Sequence, residues 1–133
     1  VSARIPTAPP DVLAALLPIV QSGLSSGEKA AHVLSEADKR AVVVRADLQG
    51  HATPISRYCR VGLTAFYQDS SGNWRLDEAF AMSNRAAAAI LQSSSPLILA
   101  AEWQSGPFEV TDVIKDKPVA YSTLLLEVAS TLL

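Results

Sequence analysis

Between Trp74 and Pro96 the apolar positions recur at helical spacing. Leu76, Phe80, Ala87, Ile90 and Leu91 fall on one stripe. The run Ala86–Ala89 favours helix and is thin enough to lie close on a sheet. Asp77 is placed to accept a hydrogen bond from the first unpaired backbone N–H groups, and Glu78 suits the positive end of the helix dipole. Ser93–Ser95 and Pro96 end the pattern. This predicts a helix over Asp77–Gln92, with strand patterns on both sides of it.

Upstream, Pro9, Pro10 and Asp11 mark a helix start, and Val12, Leu13, Leu16, Leu17 and Val20 line one side of Asp11–Gln21. Pro18 should kink or shorten that helix, because it has no N–H and crowds the preceding turn. Ser25, Ser26 and Gly27 mark a break, and Glu28–Lys39 has room for a helical turn. Ala41–Ala46 contains the β-branched run Val42–Val44 and reads as a strand. Asp47–Ser56, with Gly50 and Pro54, reads as a mobile loop.

Arg57–Gln68 alternates as a strand, with Cys59, Val61, Leu63, Ala65 and Tyr67 as the better core face. Asp69–Asn73 is a polar turn. After the main helix, Leu97–Trp103 and Phe108–Ile114 read as strands joined by a turn at Gln104–Pro107. Lys115–Pro118 turns the chain again, and Val119–Thr131 is a final long strand. The last three strands should form an antiparallel meander through these short turns. On the final strand Leu124, Leu126 and Val128 share one face, and Val119, Tyr121 and Leu125 share the other. A strand apolar on both sides is covered on both faces or meets another subunit.

The order helix, strand, strand, helix, strand, strand, strand makes this an α+β chain. Its fold is sandwich-like, with two helices on one face of a mixed, mainly antiparallel sheet. Val1–Pro10 is a Pro-rich arm that orders against a partner. Residues 11–133 form a single domain.

Composition sharpens this only by exclusion. Apolar residues make up 49% of the 133, so the chain is not disordered. A net charge of −2 with scattered basic residues argues against a nucleic-acid-binding face, which needs clustered Lys and Arg. One cysteine, Cys59, rules out an intrachain disulfide and suggests a reducing compartment. Val1–Pro10 lacks the charged start and apolar run of a signal peptide, and Val12–Leu17 is too short to span a bilayer, so no membrane role is expected.

The residues suggest no catalytic constellation. His32 and His51 lie in irregular stretches without a metal-ligand pattern, and both read as surface groups. Cys59 reads as a small apolar filler in a strand. Ser70–Asn73 and Ser105-Gly106 match neither a phosphate loop nor a nucleophile elbow. The carboxylates Asp77, Glu78, Glu102, Glu109, Asp112, Asp116 and Glu127 read as capping, turn or polar-strand residues. No enzymatic activity and no cofactor is expected. The candidate contact residues are Tyr121 and Leu125 on the two-faced strand and Trp103 as an aromatic anchor. Asp47, His51 and Arg57 join them, in and beside the loop that would order on docking.

Four stretches carry a family resemblance: DVLAALL at 11–17, VGLTAFYQDSSGNWRLDEAFAMSNRAAAAIL at 61–91, PLILAAEWQSGPFEVTDV at 96–113 and AYSTLLLEVAS at 120–130. In this order they resemble the tail terminator proteins of long-tailed bacteriophages, of the lambda type. That resemblance implies a hexameric ring seated on the last ring of tail-tube protein. Such a ring stops tube growth and offers a surface to the head-completion connector. DNA would pass through its channel without specific binding. It also implies a place in the virion at the head-proximal end of the tail, after assembly in the host cytoplasm. Another head–tail joining or tube-related protein is the neighbouring alternative. A small enzyme or ligand-binding module would instead need a deep pocket with converging polar groups.

Overall fold

The computed structural model describes residues 7–8, 10–33, 38–111 and 117–132. In chain order the elements are β1 (Thr7–Ala8), α1 (Val12–Ser22), β2 (Lys29–Ala31), β3 (Arg40–Thr53), β4 (Ser56–Tyr67), α2 (Leu76–Leu91), β5 (Ile98–Thr111), β6 (Pro118–Ala129) and β7 (Thr131–Leu132). Five strands form one sheet in the order β2-β3-β4-β6-β5. The β2–β3 pair is parallel and the other pairs are antiparallel. Because β6 is antiparallel to both β4 and β5, the latter two run parallel with β6 between them, and α2 makes the crossover. The fold is α+β, as the sequence predicts, and both helices pack on one face of the mixed sheet.

Alternation along the strands builds that packing. Val42 and Val44, then Cys59, Val61, Leu63 and Ala65, then Leu124, Leu126 and Val128 all point to the helices and are buried. Each large side chain removed from water this way contributes about 1.5–3 kcal/mol. From α1, Val12, Leu16 and Val20 meet them, and the Asp11 carboxylate caps the helix by accepting the Ala14 N–H at 3.1 Å. The helix continues to Ser22 through Pro18, which lies on its solvent side.

The centre of α2 sits one step round from the expected stripe. Ala79, Met82, Ser83, Ala86, Ala87 and Ile90 are buried, Leu76 and Phe80 are half-buried, and Leu91 is exposed. Small residues face the sheet because they let the helix axis approach it. Asp77 is not the cap. Arg75 holds the cap position in extended conformation, and its guanidinium donates to Asp77 at 2.8 and 3.1 Å. Before the helix, Asp69 accepts the Ser71 and Asn73 N–H groups at 2.9 Å each, which forms the expected polar turn.

Three further expectations are corrected. Residues Asp47–Ser56 are not a loop. The β3–β4 ladder runs unbroken in direction from Arg40↔Tyr67 to Thr53↔Ser56, and an irregularity between Leu48 and His51 absorbs Gly50. Only Pro54 and Ile55 turn the chain, with proline at the position whose φ it pre-sets. Gln104–Pro107 is not a turn but the middle of β5. An edge strand tolerates Pro107 because its missing N–H costs no ladder bond, and two register shifts flank the segment. Gly106 has φ +84°, and a Cβ there would collide with the Tyr121 carbonyl oxygen and Ser122 Cα. Finally, Lys29–Ala31 within Glu28–Lys39 is a strand. The Gln21 side chain brackets it, donating to the Glu28 carbonyl and accepting from Ala30 N–H, both at 2.9 Å.

Residues 34–37 of the expected helical turn lie outside the described residues, as do Asp112–Asp116 of the expected strand end and turn. So does most of the N-terminal arm; within it, Thr7–Ala8 pairs antiparallel with β7.

Candidate assembly surface

The sheet has a second face, and among the described residues no helix covers it. Its side chains form rows across the strands. At one end Ala41, Phe66 and Val119 are buried under Trp74, whose ring meets Phe66 edge-on at 6.0 Å. The Lys117 ammonium sits 3.5 Å from the centre of the Phe66 ring. Next comes the row Val43, Thr64, Tyr121 and Phe108. Phe108 and Tyr121 pack edge to face at 5.6 Å. The Tyr121 hydroxyl lies over Gly62, where an added Cβ would stand 3.2 Å from it. The following row is Arg45, Gly62, Thr123 and Ser105, and then come Asp47, Arg60, Leu125 and Glu102. Tyr58, Glu127 and Ala100 complete the face.

This face therefore grades from apolar through aromatic to charged. Tyr58, Phe108 and Val110 are 42%, 45% and 40% exposed, more than a closed core leaves. Of the sequence-predicted contact residues, Tyr121 and Leu125 stand here together, both half-buried. Asp47 shares the row of Leu125 and is paired with Arg45 at 3.0 Å. His51 and Arg57 are cross-strand neighbours near the β3–β4 turn, where the Arg57 Nε donates to the Gln49 carbonyl at 3.1 Å. Trp103 is separated from Tyr121 and Leu125. It lies opposite Leu124 on the helix side, half-buried against the main core, with Nε1 buried and unpartnered among the described residues.

Sequence reasoning did not single out Phe108, Tyr58 or Arg60. The period-two pattern of Tyr58, Arg60, Gly62, Thr64 and Phe66 was the available signal, but only register shows which strands they border.

The remaining polar features are quiet. His32 and His51 are exposed. No three His, Cys, Asp or Glu side chains gather as a metal site among the described residues. Cys59 is buried on the helix side, and burial, followed by the Asp47 charge, pushes its thiol up to about 11. Ser56 donates to Glu127 at 2.8 Å and shares a 2.6 Å bond with Thr53, which ties the hairpin turn to β6. A broad cleft lies between Lys29, Arg40 and Asp69. Two of its cations are engaged: Lys29 with Asp38 at 3.5 Å, and Arg40 with the Gln68 carbonyl at 3.0 Å and the Tyr67 ring at 4.4 Å. No helix among the described residues is long and apolar enough to cross a membrane.

No protein-family model matches this sequence, nor does any curated protein match it significantly.

Proposed function

We propose that this chain is a bacteriophage tail terminator, a non-enzymatic subunit that assembles into a ring. The ring, a hexamer by resemblance to the family, caps the tail tube, halts its growth and presents a joining surface to the head connector. Two lines support the reading. The α+β architecture, with two helices on one face of a mainly antiparallel sheet, agrees with the small domain of helices on a mixed sheet that the family resemblance leads one to expect. The observation that carries it is the second sheet face, where Phe108, Tyr121, Leu125 and Val110 lie outside the helix-covered core. Apolar surface of this kind on a small domain marks a contact surface. A ring lumen that lets DNA slide has no need of clustered cations, which is compatible with a net charge of −2.

Electron microscopy of negatively stained protein, alone and with tail-tube subunits, tests the proposal. Rings, and tubes whose ends are capped and no longer grow, are the expected outcome. Tubes that elongate unhindered in its presence, with the protein left as monomer, would overturn it. Binding to head-connector proteins but not to tube ends would favour a different joining protein of the same assembly.

A further inference from the structure

We propose that copies of this chain join edge to edge, with the free edge of β5 in one copy pairing antiparallel with the distal half of β3 in the next. This rests on the ring-forming reading above and adds a contact at the sheet margins to the one that the uncovered face offers. The first observation is unpaired backbone. β5 is a 14-residue strand at the sheet margin, bonded among the described residues only to β6. At the opposite margin β2 covers only Ala41–Val43 of β3, so among the described residues Val44–Thr53 has a ladder partner on one side only. Long edges of this kind are templates for another strand.

The second observation is direction. Across β3, β4, β6 and β5 every step is antiparallel, so β3 and β5 run opposite ways. A neighbour placed beside β5 with its sheet facing the same way therefore offers β3 in antiparallel orientation. Such a contact uses two different surfaces, one at each margin, and repeats from copy to copy until it closes.

The third observation is charge. The only charged residues of β5 are Glu102 and Glu109. The opposite margin is basic: Asp47 is already met by Arg45, and Arg57 and Arg60 stand behind it on β4. Pairing β5 with its own symmetry mate would bring only like charges together, which is unfavourable across a ladder. A slip of two residues, about 7 Å along the strand, sets Glu102 beside Arg45 rather than Asp47. It keeps every side chain on its own face, as a one-residue slip would not.

Cross-linking of the full chain tests this, and buried Cys59 provides a silent background. Leu99→Cys on β5 and Gln49→Cys on β3 both replace exposed residues. Treated with a short bis-maleimide under conditions where light scattering shows assembly, a mixture of the two variants should give covalent dimers. The double variant should give a ladder. Asn84→Cys, on the solvent side of α2, should give neither. Glu102→Arg should abolish the ladder, and Arg45→Glu in the same chain should restore it. Assembled protein without Leu99–Gln49 cross-links, or with strong Leu99–Leu99 cross-links, would overturn the edge contact while leaving the ring intact. Protein that stays monomeric even with tube subunits would overturn both.

Discussion

Ser83 on α2 and Ser122 on β6 share a 2.8 Å hydrogen bond, and both residues are fully buried. Apolar side chains surround this contact on the helix-covered face of the sheet. Each hydroxyl is satisfied there by the other. Ser83→Ala should therefore destabilise the fold by about 1–3 kcal/mol by stranding Ser122. Removing both hydroxyls should cost less than the two single changes added together. Chemical denaturation of the two single variants and the double variant checks this, and strict additivity would refute it.

Arg85 on α2 holds Glu28 with two bonds, 2.9 and 3.1 Å long. Burial alone would raise the Glu28 pKa. The Arg85 hydrogen bonds, the Ser25 N–H and the Arg85 charge outweigh it and hold the carboxyl below its ordinary 4.5. A depressed folded pKa means the stabilisation is present above about 4.5 and fades as pH falls through the folded value. Arg85 is about a third exposed, so solvent screens the pair. Glu28→Gln should cost roughly 1 kcal/mol at neutral pH and flatten the acid limb of the stability curve. Melting temperature measured against pH for both proteins tests the sign.

Gly106 has positive φ, and its missing side chain faces the backbone of β6. Gly106→Ala meets both obstacles at once and should lower stability by about 2–4 kcal/mol. Gly62→Ala faces only the tip of the Tyr121 ring, which can shift, and should cost less. Thermal melts that rank the two the other way would contradict this reading of the β5–β6 contact.

Leu125 is half-buried between Arg60 and Glu102 on the uncovered face, and Tyr121 lies two rows away. Leu125→Asp or Tyr121→Asp should weaken self-association at least about tenfold, or 1.4 kcal/mol. The monomer's melting temperature should move much less. Size-exclusion chromatography with light scattering, paired with calorimetry, separates the effects. Variants that assemble normally but melt early would place both residues in the fold rather than in the contact.

Much of the main core was legible because it depends on short-range periodicity. Alternation alone marks the inward set Cys59, Val61, Leu63, Ala65 and Tyr67 and groups Leu124, Leu126 and Val128 on one face; all are buried in the main core except Tyr67, which packs half-buried against it. Reading failed where local chemistry and long-range pairing disagreed. Gly50 and Pro54 look like loop residues, yet His51 pairs with Arg57 and Thr53 with Ser56, so the ladder runs past Gly50 and only Pro54 of the two lies in the turn. Gly106 and Pro107 look like a turn, yet Ser105 and Phe108 on either side of them both pair with β6, and the strand runs on through an irregularity. The stripe of α2 differs from the one that large apolar residues suggest, because close approach to the sheet selects Ala79, Ser83 and Ala86.

The order of residues and their polarity thus determined by themselves the two helices and the regular parts of the central strands, and that one strand is greasy on both faces. Those are properties of neighbours along the chain. The tertiary structure alone decided that β6 inserts between β4 and β5, that Trp103 parts from Tyr121 and Leu125, and that β5 and the distal half of β3 are left as margins. Register between distant strands sets those relations, because a backbone N–H or C=O bonds whichever strand lies beside it, whatever the local sequence.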